Sequence, residues 1–270
     1  MTLTLTLREA PAAAVVADAL VPDRIAGMSA DEVGRLSLWH GNRRAAVRDL
    51  FDVAGGGDDV RIEGDLHRVA GLGTGMAGGR LTIAGDAGPH LGAGMRDGEI
   101  VVEGDAAAYA GAGMRGGRLV VRGSAGTRLG GALAGERAGM RGGEIVVHGD
   151  AGEEAGAGLR RGLVAVAGRT GAGAGLNALA GTIVAFGALG AHAGAGMRRA
   201  SIVALGEVAL LPTYVRACTY RPPFLRLCLR RLRALGLPVT DEQLEGEYTR
   251  WSGDTLELRR GEILILEPPR

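Results

Sequence analysis

Between about Val60 and Leu205 the apolar residues fall in pairs two positions apart, and each pair is closed by a glycine. The closing glycines are Gly64, Gly85, Gly104, Gly123, Gly149, Gly168, Gly187 and Gly206, at spacings of 21, 19, 19, 26, 19, 19 and 19. The 26 is a 19-residue unit carrying seven extra residues around Gly130 to Glu136. Four positions before each closing glycine stand Val60, Leu81, Ile100, Leu119, Ile145, Val164, Ile183 and Ile202. Two before it stand Ile62, Ile83, Val102, Val121, Val147, Val166, Ala185 and Ala204. Side chains two apart share one face of a strand. A unit this short has no core of its own and must stack on its neighbours.

One β-branched strand per unit with glycine-rich corners predicts an all-β core. The expected architecture is a right-handed parallel β-helix of about seven to eight coils. A helical repeat would not tolerate this much glycine. Seven and nine residues past the closing glycine stand Gly92 and Gly94, Gly111 and Gly113, Gly156 and Gly158, and Gly194 and Gly196. Such corners call for positive φ or close backbone approach, which glycine supplies without steric cost. Where the second glycine is missing, Asn177 takes its place, and asparagine enters the left-handed region more readily than most residues.

The repeat divides the chain into residues 1–59, 60–206 and 207–270. In the first part Thr2 to Leu7 alternate as a strand. Ser29 with Glu32 opens a helical stretch through Leu36, and a second short amphipathic piece covers Arg43 to Phe51. This segment is expected to cap the first coil, because a bare end would expose a sheet edge and apolar core. In the last part a linker at Leu211-Pro212 precedes a helix from about Phe224 to Leu235. Its apolar face is Leu225, Cys228, Leu229 and Leu232, and Gly236 stops it. Thr240 with Gln243 starts another helix, and strands are expected at Thr255 to Leu258 and Glu262 to Leu266. The appendages at both ends are thus small and mixed α/β.

Stacking turns every other column into a ladder. Three before the closing glycine the column reads Arg61, Thr82, Val101, Val120, Val146, Ala165, Val184 and Val203. A contiguous apolar ladder on an outward face needs a cover. Either a partner contacts Val101, Val120, Val146 and Val184, or the chain's own terminal segment lies over them. A second column, at the Gly-Met corner, reads Ala77, Arg96, Arg115, Arg141, Arg160, Leu179 and Arg198. Coils lie roughly 4.8 Å apart, where like charges repel by roughly 0.9 kcal/mol in water. The strip suits a repeating anion; as a plain solvated face it would be partly neutralised by Asp97, Glu99 and Glu144. A third column, Asp65, Asp86, Asp105 and Asp150, reads as side-chain bonding to nearby backbone at a turn.

Composition narrows the function. A net charge of +1 argues against a general nucleic-acid or anionic-membrane binder, and 3% aromatic residues argue against base-stacking platforms. No apolar run is long enough to span a membrane, and Asp18, Arg8 and Glu9 spoil a secretory signal. Cys218 and Cys228 make no disulfide framework, so a cytoplasmic location is expected. His40, His67, His90, His148 and His192 are scattered without metal-ligand spacing. Nucleophile-elbow and P-loop motifs are missing too. No catalytic residue and no metal ligand is assigned.

The units Gly-Asp…Gly-Ala-Gly-Met-Arg-Asp-Gly-Glu-Ile-Val-Val (Gly85 to Val102) and Gly-Ala-Gly-Met-Arg-Gly-Gly-Arg-Leu-Val-Val (Gly111 to Val121) resemble the GXGXG solenoid. That fold occurs in the C-terminal domain of glutamate synthase and in the C subunit of formylmethanofuran dehydrogenase. The tail from Tyr248 to Leu266, Tyr-Thr-Arg-Trp-Ser-Gly-Asp…Arg-Gly-Glu-Ile-Leu, and the N-terminal strand look like the dehydrogenase C subunit. The resemblance covers nearly the whole chain and implies a place in one-carbon metabolism. One version of the complex reduces carbon dioxide to formylmethanofuran with a tungsten or molybdenum subunit. The other, a bacterial formyltransferase/hydrolase, moves a formyl group from formyl-tetrahydromethanopterin to a methanofuran analogue and hydrolyses it to formate. The lysine-free, Ala/Gly-rich composition points to the bacterial version.

In both versions the resemblance puts the chemistry on partners, an amidohydrolase-like and a formyltransferase subunit, and tetrahydromethanopterin with them. This chain is then a non-catalytic scaffold. Methanofuran-type carriers have a glutamate-rich tail, so Arg96, Arg115, Arg141, Arg160 and Arg198 become a candidate track for it. The extra residues around Gly130 to Glu136 become a candidate docking loop. A detached glutamate-synthase-like structural domain and a stand-alone solenoid enzyme are the alternatives.

Overall fold

The computed structural model describes residues 2–268. The apolar pairs occupy the middle of one 13-stranded sheet. From Asp59–Glu63 through Ala77–Ile83, Asp97–Val102 and onward to Ser201–Ala204, each repeat strand pairs in parallel with the strand of the next repeat. The register keeps the columns together: Ile100 faces Leu119, Leu119 faces Ile145, Ile145 faces Val164, and Val164 faces Ile183. Both strand columns from Leu81 to Ala204 are buried. A second parallel ladder of single bridges runs Leu66, Ala87, Ala106, Ala125, Ala151, Thr170, Leu189 and Val208. The glycine-rich corners supply the crossover that parallel pairing requires.

The ends are closed by the chain itself. Thr2–Leu7 pairs in parallel with Asp59–Glu63, and Phe51–Gly55 pairs antiparallel with the other edge of Thr2–Leu7. Its alternation works as a strand face should, with Leu3, Leu5 and Leu7 buried. At the far end Gly261–Leu266 pairs in parallel with Ser201–Ala204, and Tyr248–Gly253 and Val215–Tyr220 follow antiparallel. A small sheet of Arg43–Ala46, Ser37–His40, Val15–Val16 and Val69–Ala70 attaches the N-terminal segment to the first repeat.

Local signals behave as their chemistry dictates. Capping boxes form at Ser29/Glu32 and Thr240/Gln243. The long helix is Pro223–Ala234, and Gly236 beyond it has φ 87°. Two expectations fail. Arg43 to Phe51 is not one amphipathic piece: Arg43–Ala46 is the return strand of a hairpin, followed by one helical turn at Val47–Leu50. The cause is Gly41-Asn42, a two-residue hairpin loop with Gly41 at φ 59°. Thr255 to Leu258 is not a strand but a 3-10 turn, Thr255–Glu257, because the Asp254 side chain accepts the backbone N–H of Leu256. The strand lies earlier, at Tyr248–Gly253.

The corner residues Gly92, Gly94, Gly111, Gly113, Gly156, Gly158, Asn177, Gly194 and Gly196 all have φ between 55° and 72°. The two corner positions differ in what lies beside them. A Cβ on Gly111 would come within 2.4 Å of Ile145 Cδ1, whereas one on Gly113 meets nothing within 4 Å. Asn177 falls in the column of Gly94 and Gly113, at both of which a Cβ would meet nothing within 4 Å. Gly111→Ala is therefore expected to cost about 2–4 kcal/mol, from left-handed strain and overpacking together. Gly113→Asn should cost less than about 1 kcal/mol. Urea unfolding of the two variants measures this; equal losses would sink the distinction.

Candidate functional site

The arginine column is held by backbone geometry. The N–H groups of Arg96, Arg115, Arg141 and Arg160 donate to the carbonyls of Met76, Met95, Met114 and Met140, one repeat back, at 2.7, 2.7, 2.6 and 2.9 Å. The residue before each arginine, Met95, Met114, Met140 or Leu159, is fully buried. That anchor turns the next side chain outward, and all four arginines are exposed. None lies within 4.0 Å of a carboxylate among the described residues. The acids expected to neutralise them are engaged elsewhere. Glu99 pairs with Arg80 and Arg118, Glu144 pairs with Arg118 and Arg231, and Asp97 accepts the Gly98 N–H.

Arg198 does not extend this strip. Leu179 interrupts the column, and Arg198 is paired with Glu257 at 2.9 Å. The reason is the C-terminal turn, which folds over the last corner.

The valine ladder is not a free surface. Val146, Ala165, Val184 and Val203 are fully buried in a cluster with Leu225, Leu229 and Leu232 of the C-terminal helix. The helix brings three leucines at i, i+4 and i+7 onto a flat apolar face, so the chain covers its own ladder. Val101 and Val120, beyond the helix, are 6% and 7% exposed. The aspartate column also differs in detail from a local turn. Asp86 accepts the N–H of Asp105, Asp105 that of Ser124, and Asp150 that of Arg169, at 2.7 to 2.8 Å. These three carboxylates thus bond between repeats, whereas Asp65 accepts the His67 N–H two residues on, as expected of a local turn.

Sequence reasoning missed the column five past each closing glycine. His90, Tyr109, Arg128, Glu154 and His192 all sit at φ of 58° to 64°. The first three side chains stack: the His90 and Tyr109 rings are 4.9 Å apart, and the Arg128 guanidinium lies 5.8 Å from the Tyr109 ring. Arg128 also pairs with Glu154 at 2.7 Å. The signal was the same alignment that exposed the glycines, where Gly173 fills this column in the sixth unit. A cavity of about 460 Å³ is lined by Arg128, Glu154, Gly158, Asn177 and Arg198 among others. Glu136 and Arg137 of the extra residues also line it.

An alternating ion ladder runs on another face: Arg80, Glu99, Arg118, Glu144, and then Arg231 from the C-terminal helix. Among the described residues no group of three or more His, Cys, Asp or Glu is placed to hold a metal. No helix among them is long and apolar enough to cross a membrane.

The arrangement is that of a repeat protein whose surface offers ladders of side chains. No family model matches the chain. It is 38% identical over 81 residues to the C subunit of molybdenum-containing formylmethanofuran dehydrogenase 1 of Methanosarcina barkeri, covering 28% of this chain and 27% of that protein. It is 32% identical over 90 residues to the C subunit of tungsten-containing formylmethanofuran dehydrogenase 2 of Methanothermobacter thermautotrophicus, covering 31% of this chain and 33% of that one. These matches span about a third or less of the curated relatives. A solved chain of the formyltransferase/hydrolase complex FhcABCD from Methylorubrum extorquens, crystallised with methylofuran, matches over 98% of this chain and 100% of its own length. Its TM-score is 0.87 and its identity 37%. The chain belongs to the family of formylmethanofuran dehydrogenase C subunits, and its structure matches the C subunit of the formyltransferase/hydrolase complex.

Glu144 ties the helix to the sheet. Burial alone would raise its carboxyl, but its bonds to Arg231 and Arg118 outweigh burial and hold it below the usual carboxylate range. With the folded value lower than the unfolded one, the stabilisation is whole above the ordinary glutamate range and is lost as pH falls through the lower folded value. Between pH 7 and about pH 3 the urea midpoint of the wild type should drop further than that of Glu144→Gln. Parallel drops would show that Glu144 adds nothing to docking.

Proposed function

We propose that this chain is a non-catalytic scaffold and carrier-binding subunit of a formyltransferase/hydrolase complex, wound as a right-handed parallel β-helix. In this reading the complex passes a formyl group from formyl-tetrahydromethanopterin to a methanofuran analogue and hydrolyses it to formate. The chemistry falls to an amidohydrolase-like and a formyltransferase subunit. The observation that carries the assembly is the end-to-end match, at 37% identity, to a chain of such a complex crystallised with methylofuran. The shorter matches to molybdenum and tungsten enzymes favour, as second reading, the C subunit of a formylmethanofuran dehydrogenase.

The carrier role rests on Arg96, Arg115, Arg141 and Arg160. Four exposed guanidinium groups at one-repeat spacing, without carboxylate partners among the described residues, suit a chain of repeating carboxylates. Each charge-assisted bond is strong, yet an exposed one exchanges readily with solvent. The tail is thereby held along the strip while its formyl-bearing end moves between two sites.

The track is tested with a fluorescein-labelled oligoglutamate and fluorescence anisotropy. Arg115→Glu/Arg141→Glu should weaken binding at least about tenfold, or about 1.4 kcal/mol, and wild-type binding should fall steeply with salt. Unchanged affinity in the variant ends the track reading.

A further inference from the structure

The turn after Tyr248–Gly253 holds two leucines out in solvent. Leu256 and Leu258 are 80% and 74% exposed, more than any other large apolar side chain among the described residues. The turn is firmly clamped. The buried Asp254 carboxylate accepts the N–H groups of Leu256 at 3.0 Å and Gly196 at 3.1 Å. The Asp254 carbonyl accepts those of Glu257 and Arg259 at 2.9 and 3.1 Å. The Glu257 carboxylate accepts from Arg198 of the last repeat.

The backbone here is also strained. Leu258 and Arg259 have φ of 72° and 55°, a region where a β-carbon is penalised and where glycine or asparagine would serve a simple turn. A rigid, strained turn that displays leucines is suited to a cover outside the chain. Arg259 and Arg260 beside them are exposed and have no carboxylate partner among the described residues.

We propose that Leu256 and Leu258 plug into an apolar pocket with an acidic rim on a different protein subunit. Charge selects that occupant. Two copies meeting turn to turn would bring four arginines together, which opposes a symmetric contact. Two leucines bury too little to hold a bilayer, since even one acyl chain binds only marginally. The inference rests on the reading of this chain as a subunit of a larger complex.

The test tags the full chain in its native host as wild type, Leu256→Ser/Leu258→Ser and Arg259→Glu/Arg260→Glu. Co-eluting subunits per chain are quantified at low salt, and each purified chain is melted alone. The leucine variant should melt no lower than wild type, because both side chains are already in water, while its co-eluting subunits fall at least tenfold. The arginine variant should also lose subunits, with the loss narrowing as salt rises. Wild-type co-elution by a folded leucine variant sinks the plug alone. A wild-type chain that elutes alone sinks the assembly reading, and the plug with it. Dimer or anionic-vesicle binding that the leucine substitutions abolish, with subunits retained, likewise overturns the proposal.

Discussion

Everything in this chain depends on backbone hydrogen bonding between successive 19-residue turns of the repeat. Parallel pairing fixes one residue of each unit against one residue of the next, so a change of length inside a unit must be expelled at a corner or it rotates every later side chain. The seven extra residues of the fourth unit, between Gly123 and Gly149, obey this. The Met140 N–H bonds the Gly130 carbonyl at 2.9 Å, closing the base of the excursion. Arg141 then bonds Met114 as the corresponding residue of a plain unit would. Ile145 consequently meets Leu119 in register although 26 residues separate their closing glycines.

The same stacking decides which side chains each column accepts. Apolar columns gain from self-contact, and Asp86, Asp105 and Asp150 gain because each carboxylate meets the next repeat's N–H. Charged columns lose unless the signs alternate, as Arg80, Glu99, Arg118 and Glu144 do. Exposed pairs of this kind add at most about 1 kcal/mol each, so the alternation mainly avoids repulsion. Arg96, Arg115, Arg141 and Arg160 break that rule. One sign repeats four times with no carboxylate within 4.0 Å among the described residues, although acids stand on neighbouring positions. That contrast within one architecture is what supports the proposed carboxylate track.

The parts legible in the sequence were those set by the repeat. Column alignment located the strands, the register and the left-handed corners, because one geometry recurs eight times and chance residues do not. The terminal segments were less legible because each element occurs once. Gly41-Asn42 is a readable hairpin signal but a solitary one, and the β-propensity of Thr255 to Leu258 lost to the Asp254 cap. The cover on Val146 and Val184 was not decidable from the repeat alone. It needed the tertiary fact that Leu225, Leu229 and Leu232 return to that face. The stacked column at His90 and Tyr109 was hard to read because only Gly173 hints at positive φ among its varied side chains. Stacking and ion pairing offset part of that strain.

The C-terminal appendage settles which of these surfaces remain open. Its helix occupies the valine face, its strands pair with the last repeat, and its Glu257 neutralises Arg198. A bare stack would present every column to solvent along its whole length. With the appendage in place, the unpaired positive corner is confined to Arg96 through Arg160, and the apolar face of the later repeats is internal. The turn that carries Glu257 is also the one that exposes Leu256 and Leu258. One segment therefore neutralises Arg198 and displays two leucines, and Asp254, bonded to Gly196, fixes the two in relation to each other.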